Sequence, residues 1–108
     1  MTTHTVGTFL REKMNNMAKW VHDEVGKENL GVDLVDFVAK KTDSELVYLA
    51  GLLKTKEDGI EKESFASISG DPNVPDQIKI VVKRVEAVDH MHSKFWRYIR
   101  LFVHVISE

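Results

Sequence analysis

The chain has 108 residues, of which 43% are hydrophobic and 30% are charged, and its formal net charge at pH 7 is −2. This length supports one hydrophobic core in a single domain, and the charge balance excludes a disordered tail and an overall basic nucleic-acid binder. The sequence contains no cysteine, which excludes disulfides, thiolate metal ligands and cysteine nucleophiles.

The N-terminal part of the chain carries the pattern of three helices. Apolar residues at helical spacing predict an amphipathic helix over 5–25 that Gly26 ends. Asp33 is a suitable N-cap for a short helix over 33–41. Thr42 and Glu45 form a capping box that opens a helix over 43–57. The apolar positions of the first and third helices are Val6, Phe9, Leu10, Met14, Met17, Val21, Val25, Leu46, Leu49, Ala50 and Leu53.

Residues 60–75 are predicted to form the one long connection between helices in the chain. Phe65 and Ile68 stand among polar residues, and the prolines at 72 and 75 cannot continue a helix. We expect a plain connector anchored by the two apolar residues, although loops of this length also serve as lids or binding loops. Pro75 is well placed to begin the next helix.

The last third of the chain carries a heptad pattern that no glycine or proline interrupts. Eight of its nine seam positions are apolar, which predicts one long helix over 75–106 that packs a stripe against a partner helix. At 1.5 Å per residue such a helix would be about 45 Å long, against a diameter of about 35 Å for a compact domain of this size. The helix must therefore protrude, break or pair with a second chain. The nine positions are Ile78, Val81, Val85, Val88, His92, Phe95, Ile99, Phe102 and Ile106.

The same segment has a competing interpretation as a β-hairpin. It is rich in β-branched residues, and strands over 78–88 and 96–106 would meet at a turn over 89–93. That turn lacks Gly, Asn and Pro, and Lys83-Arg84 breaks the alternation, so we favour the helix. If the helix is interrupted, the break should fall at 89–93, where helix propensity is low.

We therefore predict an all-α fold, a small bundle of three to four helices with a long C-terminal heptad-patterned helix; the alternative is an α+β fold with a C-terminal β-hairpin. Residues 1–108 form one domain, with N-terminal helices in 1–59, a loop in 60–75 and the long helix in 76–108. The second half of the long helix is expected to extend beyond the globule and pair with a second chain. His92 would be a polar residue of that seam, of the kind that fixes register or oligomeric state. The predicted dimer seam consists of Val88, His92, Phe95, Ile99, Phe102 and Ile106.

Aromatic and arginine side chains beside this seam indicate a surface that binds another protein. Trp, Tyr and Arg dominate the energetics of protein interfaces. We predict a non-enzymatic helical protein-binding or regulatory protein that acts as a homodimer and engages a partner protein. The predicted partner-binding residues are Trp96, Arg97, Tyr98 and Arg100.

A basic stripe on the same segment supports an alternative function in nucleic-acid binding. Residues 76–108 carry six Lys and Arg against four Asp and Glu, whereas residues 1–75 carry nine against thirteen. Phosphate contacts from such a stripe would make binding strongly dependent on salt. The stripe comprises Lys83, His90, Arg97 and His104, flanked by Lys79, Lys94 and Arg100.

No pattern indicates catalysis, a cofactor or a metal. There is no glycine-rich phosphate loop, and no Gly-x-Ser-x-Gly motif surrounds Ser67 or Ser69. Carboxylate–histidine pairs at Glu86 and His90, or at Asp89 and His92, lack matching ligands on another helix. We also expect a cytoplasmic protein, because no apolar run approaches the ~20 residues of a membrane span and the start lacks a signal-peptide pattern.

Overall fold

The computed structural model describes residues 3–107, and the side chains of residues 5–107. This part of the chain contains eight α-helices, one turn of 3-10 helix at Asp89–Met91 and no strand. The predicted all-α fold is confirmed, and the alternative with a C-terminal β-hairpin is wrong. The helices are α1 (Thr3–Val25), α2 (Lys27–Leu30), α3 (Leu34–Ala39), α4 (Asp43–Lys54), α5 (Glu57–Glu61), α6 (Phe65–Ser69), α7 (Asp76–Glu86) and α8 (His92–Ser107).

Gly26, Asp33 and Thr42 mark helix ends as predicted, whereas α4 ends at Lys54, three residues before the predicted end at 57. Gly26 follows the last residue of α1 with a φ of +85°, a conformation that glycine adopts without strain. The Asp33 carboxylate accepts the N–H of Asp36 at 2.9 Å and caps α3. Thr42 and Glu45 exchange side-chain-to-backbone hydrogen bonds at 3.1 and 3.0 Å, which completes the capping box of α4.

A single arginine holds α1 against the connection between α3 and α4. The Arg11 guanidinium donates to the Val38 carbonyl and to the Asp43 carboxylate, each at 3.0 Å. The backbones approach closely there, since a Cβ on Gly7 would lie 2.5 Å from the Cβ of Asp43. α1 therefore packs on α3 and α4 along one side of the bundle.

Residues 60–75 form a packed segment, and the predicted loop is wrong for 60–61 and 65–69, which are helical. They include the end of α5 and all of α6, whose Phe65 and Ile68 are buried. The Asp71 carboxylate is also buried, and the Lys56 ammonium lies 2.8 Å from it. Buried apolar anchors and this ion pair together fix the segment against the bundle.

The predicted unbroken C-terminal helix is wrong, because the chain leaves the helix after Glu86 and re-enters it at His92. Val88 is extended, with φ −124° and ψ 94°, and the 3-10 turn follows it. The imidazole of His92 bridges the break, since its Nε2 lies 2.9 Å from the Glu86 carbonyl oxygen at the end of α7. The break covers residues 87–91, so it overlaps the range of 89–93 expected for an interrupted helix but begins two residues earlier.

The break folds α8 back onto the bundle. The Cα trace has a radius of gyration of 12.9 Å and extents of 36 × 29 × 24 Å, so the predicted protrusion of the C-terminal helix is wrong. α8 packs against α1 and α4 and carries the largest buried side chains of the core.

The predicted dimer seam lies within the core of the chain itself. The heptad pattern predicts an apolar stripe without specifying what covers it, and here helices of the same chain cover it. In this fold the buried half of the predicted seam is therefore covered by the chain itself, and the other half stays partly exposed. Of the six seam residues, Phe95, Ile99 and Phe102 are buried, Val88 and Ile106 are partly buried against the core, and the half-buried ring of His92 lies 4.7 Å from that of Phe65.

Candidate functional site

A basic groove follows the outer side of the contact between α1 and α8. Its volume is about 710 Å³, and both helices contribute to its lining. The residues of α8 that line it recur at intervals of three and four, which places them on one helix face. We use the name basic groove for the surface formed by Lys13, Asn16, Lys94, Arg97, Tyr98, Arg100, Leu101 and His104.

Aromatic rings connect the two helices beneath the charged groups. The rings of Trp20 on α1 and Tyr98 on α8 lie 5.9 Å apart at an interplanar angle of 37°. The ring of Tyr98 in turn lies 6.2 Å from the buried ring of Phe102. The half-buried rings of Trp20 and Tyr98 therefore form an aromatic pair, in which Tyr98 lines the groove and Trp20 lies beside it.

Positive charge dominates the electrostatics of the basic groove. Of its described lining residues, none is acidic. The Arg100 guanidinium lies 2.8 Å from the Glu63 carboxylate at the edge. Lys13, Lys94 and Arg97 make no salt bridge within the described part of the chain. In a protein of net charge −2 this makes the groove a local site of positive potential that favours anionic ligands.

Two cations are held in place by aromatic rings without being neutralised. The Lys94 ammonium lies 5.2 Å from the centroid of the Trp20 ring, and the Lys13 ammonium lies 5.3 Å from that of Phe9. Cation–π contacts of this length orient an ammonium group while leaving its full charge for a ligand. The groove can therefore offer ordered cationic donors beside flat apolar surface.

Three of the four predicted partner-binding residues, Arg97, Tyr98 and Arg100, line the basic groove. Trp96 does not line the groove. It is completely buried, so its prediction as an anchor at the surface is wrong. Its ring contacts those of Phe65 and Phe95 at centroid distances of 4.9 and 5.2 Å. Trp96 stands one position beyond the heptad seam, and a helix packed in a bundle buries a wider stripe than a coiled-coil seam.

The α1 side of the groove was missed from the sequence. Lys13, Asn16 and Trp20 follow at intervals of three and four, so they share a face of α1 next to its buried stripe. This spacing could have indicated a polar and aromatic face. The sequence could not indicate that this face meets α8, which lies about 80 residues further along the chain.

The proposed nucleic-acid stripe is not continuous in the structure. Lys83 is on α7, His90 is in the 3-10 turn, and Arg97 and His104 are on α8. The break between α7 and α8 separates these positions, and the Nε2 of His90 lies 2.8 Å from the Glu24 carboxylate. Only Arg97 and His104 of this stripe remain together, both in the basic groove.

In the described residues there is no group of three His, Cys, Asp or Glu side chains that could hold a metal ion. Within the same residues, no helix combines the length and the apolar character needed to cross a bilayer. The chain matches no protein-family model, no curated protein and no solved structure. The function is therefore proposed from the geometry of the basic groove.

Proposed function

We propose that this protein is a non-enzymatic helical binding module whose basic groove docks an acidic segment of a partner protein. The observation that carries the proposal is the groove's composition: Lys13, Lys94 and Arg97 make no salt bridge in the described part of the chain. They lie beside the ring of Tyr98, which pairs with that of Trp20. Guanidinium groups bind carboxylates in a bidentate manner, and Arg, Tyr and Trp are the residues that contribute most to protein interfaces.

The dimensions of the groove favour a short peptide segment. Lys94 and His104 are ten residues apart on α8, which corresponds to about 15 Å along the helix. An extended chain rises about 3.3 Å per residue, so roughly four or five partner residues would lie along this length. Alternating side chains of such a segment would contact the cations and the ring of Tyr98 in turn.

Nucleic acid is the alternative ligand, and the charge distribution favours it less. Non-specific binding to a polyphosphate depends on many cationic contacts along an extended path. Here the cations are confined to one groove, and the stripe that would have extended it along the C-terminal segment is divided between helices. Residues 1–75 carry more Asp and Glu than Lys and Arg, which opposes an extended polyanion.

Fluorescence anisotropy with a labelled hexaglutamate peptide tests the proposal. The variant Lys94→Glu/Arg97→Glu reverses two charges in the groove, and we expect it to weaken binding by about 30-fold or more. The matched control Lys83→Glu/Arg84→Glu makes the same change of net charge on exposed residues of α7, outside the groove. We expect the control to alter the affinity by less than about threefold.

Two outcomes would overturn the proposal. Equal losses in both double variants would mean that the peptide responds to overall charge and not to the groove. Competition by a short oligothymidylate at far lower concentrations than unlabelled hexaglutamate would support nucleic-acid binding instead.

The expected homodimer stays a prediction. Since Phe95, Ile99 and Phe102 are buried within one chain, a dimer of this fold would use the partly exposed seam residues or another surface. Size exclusion with light scattering at two protein concentrations gives the mass directly. A mass of twice the 12.4 kDa of one chain at both concentrations would support the homodimer, and the mass of one chain would remove it.

A further inference from the structure

An apolar cavity lies on the core side of α8, away from the basic groove. Its volume is about 60 Å³, and its lining comes from α1, α3, α4, α6, α7 and α8 together with residues just before α7. Every lining side chain is a hydrocarbon, a thioether or a proline ring.

The cavity extends from the surface into the core. The residues at its outer end, Phe37 and Leu52 on one side and Pro75 and Ile78 on the other, are half-buried. At the inner end it reaches fully buried side chains such as Phe102. A molecule entering between α4 and the start of α7 would therefore pass directly into the apolar interior.

The lining determines which molecules can occupy the cavity. A buried water needs two or more polar partners, so a space of this composition favours neither water nor a charged group. An occupant must be uncharged and hydrophobic.

The size of the occupant follows from the volume and from the flexibility of the lining. A space of about 60 Å³ is smaller than a cavity of ~150 Å³ known to take up benzene. Met14 and Met17 line it, and unbranched thioether side chains adapt readily to a ligand. We propose that this cavity is a binding site for a small, uncharged hydrophobic molecule, and that Met14 and Met17 shift to enlarge it until it admits one aromatic ring.

Toluene is a suitable probe, and benzoate is its charged counterpart. In ¹H–¹³C methyl spectra, we expect saturable toluene-induced shifts at Val81 and Val82, which line the cavity. Benzoate should leave these signals unchanged because burial of its carboxylate would lack a partner.

Matched tryptophan variants locate the site. Ile78→Trp places a large ring at the opening and should weaken toluene binding by at least about tenfold. Ile80→Trp makes the same exchange on the same helix at an exposed residue outside the cavity, and should retain the affinity. Leu52→Phe narrows the opening from the opposite side and provides a second blocking variant if Ile78→Trp does not fold.

The proposal is overturned if toluene up to its solubility limit leaves the methyl signals unmoved, or if the blocking variants bind as well as the wild type. Equal binding of benzoate would also overturn it. Shifts that follow protein concentration alone would identify a second copy of the chain as the occupant and would contradict a small-molecule site.

Discussion

The indole ring of Trp20 and the phenol ring of Tyr98 meet at 5.9 Å, although 78 positions of the chain separate them. This contact joins α1 to α8 at the side of the basic groove, which Tyr98 lines. Two aromatic residues of α8 therefore have different roles. Tyr98 lines the groove, whereas Trp96 is buried in the core.

Trp96→Ala should primarily reduce stability. Removing a fully buried tryptophan leaves a large cavity, and we expect the free energy of unfolding to fall by about 3–5 kcal/mol. Arg97→Ala, at the exposed neighbouring position, should change it by no more than about 0.5 kcal/mol. Urea unfolding followed by circular dichroism measures both, and a small effect at Trp96 would contradict its assignment to the core.

His92 distinguishes the observed fold from a dimer seam. If its imidazole caps α7 through the Glu86 carbonyl, His92→Leu should destabilise the protein by about 0.5–1 kcal/mol, because a hydrogen bond is lost. A seam between two chains predicts the opposite, since leucine would improve its packing. The midpoint of thermal unfolding shows whether His92→Leu raises or lowers the stability. His92→Gln, which keeps an N–H donor, is the control. A higher midpoint for His92→Leu would contradict the capping role.

Stability should fall at acidic pH through Asp71. The Lys56 ammonium and the Asn73 N–H hold the pKa of this carboxyl below its ordinary value of 3.8. A carboxyl whose pKa is lowered in the folded state contributes stability that is fully present above its ordinary pKa and is lost as the pH falls through the folded-state pKa. The stability difference between the wild type and Asp71→Asn should therefore shrink on acidification below about pH 4.

Urea midpoints between pH 6 and the acid limit of folding measure this difference. Asp58→Asn replaces an exposed carboxylate on α5 and serves as the control. A gap between wild type and Asp71→Asn that stays constant with pH would contradict the role of the Lys56–Asp71 pair.

Short-range features of the fold could be predicted from the sequence because their causes lie within a few residues. Gly26, Asp33 and the Thr42–Glu45 pair act on backbone groups one to four positions away, and the structure shows each cap where it is expected. The low helix propensity of 89–93 is equally local, and three of these five residues fall within the break, which covers 87–91. Phe65 and Ile68 were recognised as apolar anchors, although the helix α6 that carries them was not.

Which helices pack over the apolar stripe of the C-terminal segment could not be predicted in the same way. A heptad pattern is identical whether a second chain or the same chain covers it, so the dimer seam and the core were indistinguishable in sequence. The basic groove depends on the face that α1 turns toward α8, which only the tertiary packing decides. Arg97, Tyr98 and Arg100 were found from α8 alone, while Lys13, Asn16 and Trp20 required the partner helix.

The most direct test of the basic groove uses the two tryptophans as internal probes. In a ¹H–¹⁵N spectrum each indole N–H gives its own signal, one from Trp20 beside the groove and one from Trp96 in the core. On titration with hexaglutamate we expect the Trp20 signal to shift together with the amides of α8 from Lys94 to Leu101, and the Trp96 signal to stay in place. Shifts confined to α7, or the absence of any shift at Trp20, would contradict binding in the basic groove.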